Sequence, residues 1–399
     1  MPIPLPEVEA LTVERLSTGL PEFDRVLGGG IVPGSAVLVG GDPGIGKSTL
    51  LLQASGGLAR RGKTALYVSG EESPAQTKLR AARLGLESAG SLVLAETEAS
   101  AIVAHARDLS PDLLVVDSIQ TVHRRGIASG GGSIAQVREC ASELTLFAKE
   151  TGVPVFLIGH VTKSGEIAGP RVLMHVVDSV LSFEGDRYHS YRVLRAEKNR
   201  FGATEEVGIF EMRQDGLAEV GSPAGLLLGG ASPEGPGSVV VPAVEGTRVL
   251  LVEIQALSTH AAGGHGRRRV NGLDPGRIDL MLAVLQRKGG LDLAGQDVFV
   301  NAVGGVTLGE PGTDLALALA IASGHLDRPF PADTVAFGEV GLKGEVRPVA
   351  RGRARLTEAQ KLGFEVALVP PGTDVPKGIR AVEVARVTQA LEVLGDPPG

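Results

Sequence analysis

The sequence predicts an α/β protein built on a parallel central sheet, followed by a second domain of mixed strands and helices. Three observations carry this. Over the first half of the chain, short and almost continuous apolar runs alternate with runs of helical periodicity. A complete glycine-rich phosphate loop lies between the first of those strands and the helix after it. Near residue 220 the texture changes: residues 221–237 are rich in Gly, Pro and Ser, and a second series of elements begins after them.

Taken in order, residues 1–15 read as an extended, Pro-rich arm, and 17–30 as a short helix stopped by three glycines. Strands are expected at 35–40, 65–69, 92–94, 113–117 and 153–158. Between them fall helices at 47–61, 74–84, 100–109 and 134–150. Strands this apolar belong to a parallel sheet covered on both faces. Residues 176–183 and 188–197 read instead as a hairpin turning at Glu184, Gly185 and Asp186, with a further strand at 208–213. The first domain thus spans 1–220, the linker 221–237 and the second domain 238–399. In the latter, strands at 238–244 and 247–256 precede a basic turn at Arg267, Arg268 and Arg269. Helices at 277–288, 313–323 and 356–362 then alternate with strands at 298–303, 334–337 and 366–369.

Composition narrows the function classes. The net charge is −7, so the molecule as a whole is no basic coat for nucleic acid, and any DNA contact must come from local basic loops. A single cysteine, Cys140, excludes a disulfide within the chain and a cysteine-rich zinc site; its place in an apolar-periodic run predicts a buried thiol. No signal peptide and no run of 18 apolar residues is present, so a cytoplasmic protein without a membrane span is expected.

The phosphate loop is Gly41-Asp42-Pro43-Gly44-Ile45-Gly46-Lys47-Ser48, with Thr49 following. Glycines let backbone N–H groups turn toward phosphate oxygens, and the helix that starts there adds the positive end of its dipole. In such loops the lysine, here Lys47, meets the β- and γ-phosphates, and the hydroxyl, here Ser48, takes a Mg²⁺ ion. Asp117 ends an apolar strand and so points into the crevice where ligands bind; it is expected to share that Mg²⁺. Hydrolysis also needs a group that orients water. Glu71, just past the strand at 65–69, is the first choice and Glu72 the second. His160, past the strand at 153–158, is the candidate γ-phosphate sensor. ATP and Mg²⁺ are therefore the expected cofactors, and no zinc.

These pieces in this order resemble the RecA/DnaB branch of phosphate-loop proteins. More specifically, the chain resembles the RadA family of bacterial recombination proteins. The marks are the segment from Leu16 through Gly30, Tyr67-Val-Ser-Gly-Glu-Glu-Ser, and above all Lys198-Asn199-Arg200-Phe201-Gly202. The second domain is similar to the α+β Lon-protease-like domain of that family, through the runs beginning at Val300, Asp314 and Gly338. One departure is the absence of the four-cysteine zinc finger with which RadA proteins usually begin. Matching the Lon nucleophile segment puts Gly312 where Ser should be, and matching the lysine segment puts Arg353 at the base. Neither can do that chemistry, so the resemblance implies a proteolytically inactive domain, Thr313 included.

The resemblance also implies a hexameric ring that moves on single-stranded and branched DNA, promotes branch migration in recombination and repair, and works with the recombinase RecA. Two basic, Gly-containing loops suit contact with DNA phosphates, through Arg124 and Arg125 in one and Lys163 and Arg171 in the other. Arg267, Arg268 and Arg269 are a further patch, for DNA or for an interdomain or intersubunit contact. RecA-like ATPases commonly complete the ATP site with a neighbour's cations, and Lys198 and Arg200 are the residues for that role. A signalling ATPase of the KaiC kind is the rival reading, and an ATP-dependent Lon-type protease the third.

Overall fold

A computed structural model of the chain describes residues 14–86, 90–127, 129–159, 173–185, 191–220, 235–261 and 266–395. These fall into two compact units, one running to Glu184 and over Arg192–Val220, the other covering the residues from 235 on. The break lies at the composition change. His160, Lys163 and Arg171 fall outside the described residues, as does most of the 221–237 segment.

The first unit runs α1 (Pro21–Val26), β1 (Ala36–Gly41), α2 (Lys47–Ala59), β2 (Ala65–Ser69), α3 (Pro74–Arg83), β3 (Ser91–Ala95) and α4 (Ala99–Leu109). It continues through β4 (Leu113–Asp117), α5 (Ile134–Thr151), β5 (Val155–Ile158), β6 (Ser179–Glu184), β7 (Tyr191–Asn199), β8 (Val207–Arg213) and β9 (Gly216–Glu219). One nine-stranded sheet results, in the order β3-β2-β4-β5-β1-β6-β7-β8-β9. The pairings from β3 across to β6 are parallel, while β6–β7 and β8–β9 are antiparallel.

The apolar strands are continuous because both faces are buried. Val37 and Val39 enter one hydrophobic cluster with α2, and Ala36 and Leu38 the opposite one with α5. β2 splits the same way, with Tyr67 on the α2 side and Leu66 and Val68 on the other. Cys140 is fully buried in the second cluster, and burial pushes its thiol pKa up to about 11, the inert thiol expected.

Local signals set the helix ends. Ser73 and Gln76 form a reciprocal cap at the start of α3, with Pro74 in the first turn. Ser133 caps α5, and left-handed Gly152 ends it. α1 is shorter than the helix expected over 17–30. The Asp24 carboxylate accepts from the Thr18 amide and from the hydroxyls of Ser17 and Thr18, holding 17–20 as a turn. Gly28, Gly29 and Gly30 all take positive φ and carry the chain back to a bridge between Leu16 and Ile31.

The second unit has a seven-stranded mixed sheet, order β12-β13-β11-β10-β14-β17-β18. Here β10 is Ser238–Glu245, β11 Arg248–His260, β12 Arg268–Asn271, β13 Gln296–Ala302, β14 Thr334–Ala336, β17 Val366–Val369 and β18 Arg380–Glu383. The short strands β15 (Glu339–Val340) and β16 (Val346–Arg347) pair as a separate ribbon. Helix Asp314–Leu326 is buried from Asp314 through Ser323 and packs on β10 and β11, which is why its sequence is apolar all round. The basic turn expected at Arg267, Arg268 and Arg269 is instead largely an edge strand. Arg268 and Arg269 lie in β12, parallel to β13, and the Arg267 amide donates to Asp297 at the entry.

Arg353 is exposed and pairs with Asp374. Arg355 is the side chain that meets Gly312: a Cβ on Gly312 would lie 3.1 Å from both of its terminal nitrogens. Both arginines sit on helix Gly352–Lys361, where a two-residue step turns the side chain to the opposite face. Arg355 is 1% exposed, donates to Glu310 and to the carbonyls of Pro242 and Ala350, and lies over the Phe337 ring. Removing Glu310 strands that guanidinium. Glu310→Ala is expected to cost about 3 kcal/mol, the range for an uncompensated buried charge, in urea unfolding of the second unit. A loss below about 1 kcal/mol would mean that water or another carboxylate replaces Glu310.

Candidate nucleotide site

The phosphate loop leaves the carboxyl end of β1, between β5 and β6. Gly41, Gly44 and Gly46 all have positive φ. At Gly41 a side chain is impossible, because a Cβ would stand 2.4 Å from the Phe183 carbonyl oxygen. A Cβ at Gly44 meets nothing within 4 Å, so the outer face of the loop is open. Gly46 precedes the first turn of α2, whose free amides face the loop. From beneath, buried Arg192 of β7 donates from Nε to the Ile45 carbonyl at 3.2 Å.

Lys47 is 3% exposed, and its ammonium donates to the carbonyls of Gly41 and Asp42 at 2.7 and 2.9 Å. Burial lowers its pKa to about 8, against the opposing pull of Asp117, Asp42 and Glu71. A buried cation held by two loop carbonyls, a hydroxyl at Ser48 and a carboxylate at Asp117 form the donor set that Mg-ATP requires. Ser69 of β2 sits level with Asp117 of β4, so the loops after these two strands leave side by side.

Glu71 and Glu72 separate clearly. Glu71 accepts from the Ser118 hydroxyl at 2.6 Å, next to Asp117 in sequence. Glu72 turns away to an ion pair with Arg80 on α3. The site therefore brings together Lys47, Ser48, Asp117 and Glu71.

The pentapeptide lies at the end of β7, and its two cations reach the same neighbouring segment. Lys198 donates to the carbonyls of Met174 and Val177, and Arg200 pairs with Asp178 at 3.2 Å. Asn199 and Phe201 serve as the anchor: Asn199 accepts from Ser179 and from the Phe201 amide, and the Lys149 ammonium lies over the Phe201 ring. Arg15 adds a bond to the Phe201 carbonyl. In the first basic loop, Arg124 pairs with Glu143 at 3.4 Å and approaches Glu139 on α5, whereas exposed Arg125 pairs with no carboxylate among the described residues.

Sequence reasoning missed three side chains. Tyr67 stands inside a quoted family mark, yet no pattern says that its hydroxyl donates to Asp117. Asp178 is 2% exposed and joins Lys149, Arg200 and the Ala36 amide. Its partners lie up to 142 residues away, beyond any local signal. Arg192 reads in sequence as one more strand residue.

A model described as an AAA domain matches residues 3–166, so the first unit carries an ATPase domain on a phosphate-loop fold of the RecA type. The DNA repair protein RadA of Bacillus subtilis (strain 168) is 51% identical over 98% of this chain and 86% of that protein. RadA of Haemophilus influenzae is 51% identical, and RadA of Escherichia coli (strain K12) 49%, each over 98% of this chain and 86% of the relative. Identity at this level across both units leaves one assignment: the chain belongs to the RadA family.

Proposed function

We propose that the chain is a DNA-dependent ATPase motor that forms a hexameric ring and drives branch migration in recombination and repair. The observation that carries this reading is the convergence of Lys47, Ser48, Asp117 and Glu71 at the carboxyl end of one parallel sheet. Relatives named as DNA repair proteins supply the DNA context. Single-stranded and branched DNA are the proposed substrates and the recombinase RecA a proposed partner.

In this reading the loop amides of residues 41–49 cradle the phosphates of ATP, and Lys47 neutralises the β- and γ-oxygens. Ser48 and Asp117 would hold Mg²⁺, which would supply charge stabilisation at the transferring phosphate. Glu71 orients the attacking water. Glu72 is less suited, because Arg80 engages it. Arg200, with its side chain 56% exposed, is the better of the two cations for reaching a neighbour's ATP, since Lys198 turns inward to carbonyls. Arg125, which pairs with no carboxylate among the described residues, is a better DNA contact than Arg124. His160, Lys163 and Arg171 keep their proposed roles as sensor and DNA contacts.

The second unit, from residue 238, is proposed to be a Lon-protease-like domain without proteolytic activity. Gly312 has no nucleophile, and Arg355 fills the space beside it with a group that does not deprotonate. A domain of this kind suits ring assembly. No helix among the described residues is long and apolar enough to cross a membrane.

Three measurements test these roles. Glu71→Gln should lower turnover by about two to three orders of magnitude with nucleotide affinity kept, while Glu72→Gln should stay within about threefold of wild type. The reverse order would exchange the two roles. Lys47 gives a proton-linkage signature. Below pH about 8 it is charged even in the empty loop; between there and the ordinary 10.5 the empty site's lysine is neutral, whereas a phosphate-bound lysine is charged. Binding of ATP at pH 9 should therefore take up more protons than at pH 7, read by calorimetry in two buffers of different ionisation enthalpy. Lys47→Met should abolish that pH-dependent difference, and uptake that persists in it would place the linked proton elsewhere. Third, single-stranded DNA should stimulate ATP hydrolysis, as a signalling ATPase would not be stimulated. Arg125→Ala should reduce the salt slope of DNA binding by about one for the lost phosphate contact, with Arg124→Ala smaller. An unchanged slope in both would move the DNA contact off this loop.

A further inference from the structure

We infer that Tyr67 is a positioning residue for Mg²⁺, fixing the Asp117 carboxylate at the proposed metal site. The inference rests on the nucleotide-site reading above and deepens it. Tyr67 lies in the middle of β2, and Asp117 ends the adjacent strand β4 two register positions further on, on the same face of the sheet. The phenol is 3% exposed and donates its hydroxyl hydrogen to Asp117 Oδ2. Ser48 opens the first turn of α2, the helix that packs over Tyr67 on this face of the sheet. One hydroxyl from the middle of the sheet thus holds the carboxylate proposed to meet the metal.

The geometry matters because a carboxylate at a strand end is free to rotate. A donor fixed on Oδ2 holds the carboxylate plane, and Oδ1 has no hydrogen-bond partner among the described residues. That oxygen is the one left to a metal-bound water. The phenol itself is locked by burial among the side chains of the α2 cluster, so it holds its partner without moving. Tyr67 touches neither phosphate nor metal in this arrangement. It acts through Asp117.

The test is Tyr67→Phe in the full chain, with Asp117→Asn and the double variant beside it. A fluorescent, non-hydrolysable ATP analogue reports binding first in EDTA and then across a Mg²⁺ titration. Tyr67→Phe should bind the analogue in EDTA within about twofold of wild type. Its half-saturating Mg²⁺ should rise about tenfold, the scale of one lost hydrogen bond to a charged group. In the Asp117→Asn background the same change should shift half-saturation by less than about twofold, because the held carboxylate is already gone. Unfolding temperature, measured in parallel, separates a general loss of stability from the Mg²⁺ effect. An unchanged Mg²⁺ half-saturation in Tyr67→Phe, or an equal shift in the Asp117→Asn background, overturns the inference. If Asp117→Asn itself leaves Mg²⁺ half-saturation unchanged, the assignment of Asp117 to the metal fails instead.

Discussion

The carboxyl end of a parallel sheet buried on both faces is the constraint on which the rest of the first unit depends. Parallel strands send all their exits to one side, so loops distant in sequence leave as neighbours. β1, β2 and β4 deliver the phosphate loop, Glu71 and Asp117 there. The two buried faces do a second job. β1, β2, β4 and β5 are each held by a hydrophobic cluster above and another below, so a side chain rooted there has little room to move. Tyr67 owes its fixed position to this.

Buried charge is handled differently at three places, and the differences follow from what each is for. Asp178 is saturated, by two cations and a backbone amide, and ties the start of β1 to α5 and to the pentapeptide. Arg355 is saturated too, by Glu310 and two carbonyls. Both are held by ionic partners as well as by backbone groups. Lys47 differs. Its ammonium donates to two carbonyls, and burial lowers its pKa against the pull of Asp117, Asp42 and Glu71. A cation left under-compensated in this way has affinity for an incoming anion, which is the property a phosphate site needs.

In the second unit one buried ionic pair joins a helix to the sheet. The Arg355–Glu310 pair lies beside Gly312 and bonds to β10 through the Pro242 carbonyl and the Val244 amide. The pair ties helix Gly352–Lys361 to that strand. Removing one partner would leave a buried charge uncompensated, so the two residues stabilise the unit only together.

Much of this protein was legible in the sequence. Period and apolar runs gave nearly every strand and helix of the first unit, because a strand buried on both faces has no polar positions to confuse the pattern. The phosphate loop, Asp117 and the Glu71–Glu72 pair were legible because their chemistry depends on residue types at fixed short spacings. The 17–30 helix was overestimated because Asp24 draws its acceptor bonds from residues before it, a local competition that composition does not reveal. What tertiary structure alone decided were relations across strands and across helix faces. Glu71 and Glu72 part because Ser118 stands opposite one and Arg80 opposite the other, and Tyr67 reaches Asp117 only because β4 lies beside β2. Arg355 rather than Arg353 reaches Gly312 because a helix turns residues two apart to opposite sides. Sequence spacing fixes chemistry within one loop; hydrogen bonds and ion pairs between loops depend on distances that only the folded chain sets.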